Sequence, residues 1–105
     1  MNYRFHPEAE GEFIEAVEYY EGCQTGLGLA FAREVHLTIQ NICHFPRAWS
    51  PLSKNTRRCL TKRFPYGVIY QAKNDETIII ALMQLNRKPG YWKKRKAKTF
   101  VERRR

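Results

Sequence analysis

The chain has 105 residues, 43% of them hydrophobic, and a formal charge of +9 at neutral pH. That length suits one domain with a single modest core, and that apolar fraction excludes a disordered basic arm. The longest apolar run, Ile78 to Met83, falls far short of the ~20 residues of a membrane span, and the first residues lack the basic-then-apolar plan of a secretory signal.

Asn2 to Phe5 reads as a short edge strand. Pro7 suits the first turn of a helix, where its missing N–H costs nothing, and His6 reads as the residue that starts it. Ala9, Phe13, Ala16, Val17 and Tyr20 then recur at three- and four-residue spacing as one apolar stripe. Glu8, Glu10, Glu12, Glu15, Glu18 and Glu21 are assigned to the solvated face. Gly22 to Gly28 forms a turn, and a second helix carries Phe31, Val35, Thr38, Ile39, Ile42 and Phe45, ending before Pro46. His36 and His44 on it read as structural or surface residues. Pro46 to Asn55 is a loop, with Trp49 as a lid over the seam between helices and sheet.

Three strands follow, at about 57–63, 66–73 and 76–85. Asn74-Asp75 between the last two signals a tight hairpin. Tyr66, Val68, Tyr70 and Ala72 alternate with Gly67, Ile69, Gln71 and Lys73, as on a sheet with one buried face. The last strand is apolar on nearly every residue, so an interior place covered on both faces is expected for it. Phe13, Val17, Tyr20, Phe31, Val35, Ile39, Ile42, Val68, Tyr70, Ile78, Ile80 and Leu82 are expected to share one core. The order β-α-α-β-β-β predicts an α+β domain: an N-terminal strand and a helical hairpin packed on an antiparallel sheet. One domain spans 1–105, with 93–105 as a basic C-terminal tail.

Charge divides the chain. Residues 1–45 hold two basic groups against seven glutamates, whereas residues 46–105 hold seventeen basic against three acidic. An acidic front joined to a basic sheet half implies a surface that meets an anionic partner. Cys23, Cys43 and Cys59 are odd in number, widely spaced and without a CxxC pair, which reads as three reduced thiols. No metal site and no cofactor are expected.

Several stretches carry a family likeness: Pro7-x-Ala9 with Glu15-Ala16 and Tyr19-Tyr20-Glu21; Gly26-Leu27-Gly28 followed by Phe31 and Glu34-Val35; Arg63-Phe64-Pro65-Tyr66-Gly67-Val68-Ile69-Tyr70; and Arg87-Lys88-Pro89-Gly90-Tyr91-Trp92. With the element order, they resemble the RelE/ParE superfamily of bacterial type II toxins over nearly the whole chain. The resemblance implies a cytoplasmic growth-inhibiting toxin of the plasmid-stabilisation type, neutralised by direct binding of a cognate acidic antitoxin. It also implies two possible targets. RelE-like members cut mRNA in the ribosome without a metal, and ParE-like members poison DNA gyrase.

Metal-free RNA cleavage needs a base for the 2′-hydroxyl, an acid for the leaving oxygen and cations for the developing phosphorane. The histidines all lie in the helical half, which leaves Lys, Arg and Tyr. Aligned by resemblance, the nuclease's middle-strand arginine falls at Gly67, its strand-end arginine at Arg87 and its C-terminal tyrosine near Tyr91. Arg58 is a fair equivalent of one of a basic pair whose other member falls near Leu60. At Gln84 relatives with this ending often have histidine. A nuclease would therefore work through Arg58, Arg87 and Tyr91. Arg57, Lys62, Arg63, Trp92, Lys93, Lys94 and Arg95 are the candidates for binding a partner or nucleic acid. Gly67 and Gln84 tilt the reading towards gyrase inhibition by binding, with the endoribonuclease as the alternative and a general nucleic-acid-binding module as a third. Among plain structural roles, Tyr91 and Trp92 would pin the C-terminal segment to the sheet.

Overall fold

In the computed structural model, residues 2–88 and 90–95 are described. Strand β1 (Asn2–Phe5) leads into helix α1 (Pro7–Cys23), which hairpins back as α2 (Leu27–His44). The strands β2 (Ser50–Pro51), β3 (Arg57–Leu60), β4 (Tyr66–Lys73) and β5 (Glu76–Gln84) complete a five-stranded sheet in the order β1-β5-β4-β3-β2. Most of the basic tail, residues 96–105, lies outside the described residues.

Local chemistry explains each joint. His6 caps α1, its Nδ1 accepting from the Glu8 N–H at 3.1 Å, with Pro7 in the first turn. The turn into α2 passes through Gly26 at φ 90°, a conformation open to glycine without strain. A Cβ at Gly28 would stand 2.7 Å from the Val17 carbonyl oxygen, so the close crossing of the two helices requires glycine there. Glu21 then accepts from the N–H groups of Gly26 and Gly28 at 3.0 Å each, capping α2 with a carboxylate. Asn74 and Asp75 both have positive φ (53° and 61°), the backbone of a type I′ turn, and close the β4–β5 hairpin as the sequence predicts.

The predicted α+β architecture is present: the N-terminal strand joins the antiparallel strands along one edge, β1 running parallel to β5 with Asn2 opposite Glu76 and Phe5 opposite Ile79. That direction delivers the chain into α1 beside Ile79, and α1 then covers the second half of β5. The expected single core, however, is divided in two. Ala9, Phe31, Val35, Ile39, Ile42, Val68, Tyr70, Ile79 and Leu82 pack between helices and sheet, with Phe13, Val17 and Tyr20 at the margin. Ile78 and Ile80 instead join Ile69, Ala81, Met83 and Trp92 in a second cluster.

The cause lies in the register. Pairing jumps from Ile69↔Ala81 to Tyr70↔Ile79, which leaves Ile80 as an extra residue. This bulge breaks the alternation, so Ile80 and Ala81 both fall in the cluster on the outer face, away from the helices. The strand predicted at 57–63 is also shorter than expected, ending at Leu60. Past Leu60, Thr61 turns the chain by donating its hydroxyl to the Phe64 carbonyl at 2.6 Å.

Candidate functional site

Beyond Ile79, the edge of β5 has no neighbouring strand, and side chains take over its pairing. Glu12, on α1 between the buried Ala9 and Ala16, has a side chain only 14% exposed. Its Oε1 accepts from the Leu82 N–H at 3.0 Å and from Arg95 Nη1 at 2.9 Å. Arg95 also donates to the Ile80 carbonyl at 3.3 Å and reaches Glu8 at 3.5 Å. The exposed flank of a strand is thereby closed by one carboxylate and one guanidinium, which also fastens the C-terminal segment to the body.

Arg87 and Tyr91 belong to this same cluster. The Arg87 N–H bonds the Gln84 carbonyl at 2.9 Å in the turn after β5. Its guanidinium carbon stands 3.7 Å from the Tyr91 ring centroid, and one nitrogen lies 3.8 Å from Glu12. Arg95 stands over the same ring at 5.0 Å. The Tyr91 hydroxyl is buried. Burial first, and then the neighbouring Glu12 carboxylate, push this phenol far above its ordinary range, against the opposing pull of Arg87 and Arg95. Such a group holds its proton more tightly than an ordinary phenol.

Arg58 is placed apart from these two. It pairs with Ile69 on the outer face of the sheet. A Cβ built on Gly67 would lie 3.0 Å from Arg58 Cδ and 3.6 Å from Leu60 Cδ2, so the arginine's own stem fills the space above that glycine. Arg87 lines a recess on the helix side with Glu12, Ala16, Tyr66 and Leu82. The structure thus brings Arg87 and Tyr91 together past the end of β5 and leaves Arg58 two strands away on β3.

The remaining candidates divide by engagement. Arg57 donates to the Trp49 carbonyl at 2.7 Å. Arg63 holds Glu34 through its backbone N–H and, at 3.3 Å, through its side chain. Trp92 is 6% exposed and caps the outer cluster. Lys62, Lys93 and Lys94 are exposed. Sequence reasoning missed Glu12, which was assigned to the solvated face. The signal was present, since position 12 is three residues from one buried alanine and four from the other. No group of three or more metal-ligating side chains occurs among the described residues, nor does any helix there have the length and apolarity to cross a membrane.

This fold, with a basic sheet and helices whose glutamates knit it together, defines the class. A family model described as "ParE toxin of type II toxin-antitoxin system, parDE" matches residues 3–88, and the chain belongs to that family. Among solved structures, a chain described as "Chromosomal ParDE TA system from P. aeruginosa" has the same fold, with a TM-score of 0.71. It is 11% identical in sequence, and the match covers 81% of this chain and 96% of that one. No curated protein matches the sequence at a significant level.

Proposed function

We infer that this toxin inhibits growth in the cytoplasm by binding DNA gyrase, and that it is silenced by a cognate acidic antitoxin. The observation that carries the choice of target is the separation of the nuclease candidates. Cleavage of RNA needs its acid, base and cations around one phosphate. Here Arg58, on β3, lies two strands from β5, past whose end Arg87 and Tyr91 meet, and the Tyr91 hydroxyl is buried. At Gly67 the stem of Arg58 takes the space that a phosphate-gripping side chain would need. Inhibition by binding asks for none of this assembly. It asks for a rigid, charged surface, which the Glu12-centred cluster supports around Arg87.

For the antitoxin, the outer face near Arg58 combines charge with apolar contact. Arg58 Nε is buried without an acceptor among the described residues, and Leu60 beside it is 50% exposed. A partner strand supplying carboxylates and an apolar side chain fits that pair.

The test is a supercoiling assay with purified gyrase, run beside translating ribosomes charged with a defined mRNA. Gyrase should stall while the mRNA stays whole, and Arg87→Ala should weaken the stall. Codon-aligned cleavage that Arg87→Ala abolishes would establish the endoribonuclease instead.

A further inference from the structure

Two recesses flank the far end of the sheet, where β4 runs into its hairpin. One, of about 420 Å³, is lined by Arg47, Lys54, Asn55, Arg57, Tyr70 and Lys73, among others. The second, of about 500 Å³, adds Trp92, Lys93 and Arg95. They share Lys54, Asn55, Gln71 and Lys73, and among the described residues no carboxylate lines either of them. From Tyr66, beside the Arg87 turn, to Lys73 is seven residues, about 23 Å of strand. Lys73 thus lies far from Arg87, and the two ends meet only through Arg95, which lines the second recess and also stands over Tyr91.

The cations here are also in a different state. Arg57 and Arg95 are committed to Trp49 and Glu12, but Arg47, Lys54, Lys73 and Lys93 are exposed and make no ion pair among the described residues. The nearest carboxylates on the hairpin are Asp75, at its tip, and Glu76, which is bound to Arg4 at 3.1 Å. A second observation points the same way: the indole Nε1 of Trp92, itself 6% exposed and lining the second recess, has no hydrogen-bond acceptor among the described residues. With the amides of Asn55 and Gln71, the site is rich in donors and lacks acidic acceptors.

We propose that this double recess binds a phosphodiester strand, which runs over the shared Lys54–Lys73 ridge from one recess to the other. Apolar seats decide between a nucleic acid and an acidic peptide. Docked peptides draw affinity from apolar side chains in pockets, and of the large exposed apolar side chains among the described residues only Leu52 lines this site. A phosphate backbone needs no such seat, because its affinity comes from cations that release its counterions.

Fluorescence anisotropy on the full chain tests this, using a labelled 12-nucleotide single-stranded DNA, the same sequence as RNA, and the DNA duplex. Lys54→Ala with Lys73→Ala should lower single-strand affinity about 25-fold at ~0.1 M salt, and lessen the log–log salt slope by about 1.4, at 0.7 per phosphate contact. Both lysines are exposed, so the double variant keeps the fold. Arg33→Ala with Lys88→Ala, at two exposed cations that line neither recess, removes equal charge elsewhere and should retain nearly all the affinity. Lysine-dependent binding of any of the three oligonucleotides supports the proposal, and their ranking separates RNA from DNA. Equal loss in both double variants would reduce the effect to diffuse charge and overturn it. So would a wild type that binds none of the three, or a glutamate-rich 12-residue peptide that binds through these lysines while the oligonucleotides do not. The assay contains neither gyrase nor ribosome, so its outcome is independent of the target proposed above.

Discussion

The two ends of the sheet carry similar cationic charge and use it differently. At the Arg87 end, Arg87, Arg95 and Arg63 each answer a glutamate from the helices. At the hairpin end, Arg47, Lys54, Lys73 and Lys93 answer nothing within the described residues. A count of basic residues treats the two as one surface. In the structure the first is an internal fastening, and the second is exposed charge without an ion pair among the described residues. Glutamates do the fastening in three places, each by accepting backbone N–H groups: Glu12 from Leu82, Glu21 from Gly26 and Gly28, and Glu34 from Arg63 and Phe64. Two of these clamps, Glu12 and Glu34, tie the acidic half of the chain to a strand edge and a loop of the basic half, and the third holds the turn between the helices.

That contrast breaks first at Glu12. Glu12→Ala would leave Arg95, whose side chain is 10% exposed, and the Leu82 N–H without their acceptor. Removing one member of a buried pair costs ~3–5 kcal/mol, so chemical denaturation should show a loss of that order. Lys62→Ala, at an exposed cation without an internal partner, should stay within about 0.5 kcal/mol. Equal small effects would mean that the clamp is no stronger than a surface pair.

The helix–sheet core supplies the scale for that comparison. Ile39 is fully buried against the sheet, so Ile39→Ala should cost ~2–5 kcal/mol in the same measurement. A loss of a few tenths would place α2 on a different face from the one described.

The smallest expected effect is the pH response of the Glu34 clamp. Burial raises its carboxyl, but hydrogen bonds from Arg63 and Phe64 outweigh this and hold it below its ordinary 4.5. A depressed folded-state value stabilises the fold above the unfolded value and is lost as pH falls through the folded one. Urea midpoints of the wild type should therefore drop below pH 4.5 more steeply than those of Glu34→Gln, which has no titrating group there. Parallel curves would remove Glu34 from the account.

Much of the fold was legible because it rests on short-range pattern. The stripe from Ala9 to Tyr20, the turn glycines at 26 and 28, Pro7, and Asn74-Asp75 each act within a few residues, through helical spacing or backbone conformation. The family likeness was legible on the same motifs. The bulge at Ile80 was not, because a run of consecutive isoleucines gives no sign of which residue is extra. That is settled by the register against β4 and by Trp92 covering the outer face.

The candidate site follows the same division. From the sequence alone, Arg87 and Tyr91 stood out as neighbours past a strand end, and the basic half stood out by composition. Only the tertiary structure decided that Arg58 lies two strands from the strand that leads to Arg87, that Glu12 is buried, and that Arg95 is spent inside the molecule. The physical reason is range: spacing along a chain sets which face of its own element a residue occupies, whereas the partner of a charge is set by packing elements that lie seventy or more residues apart.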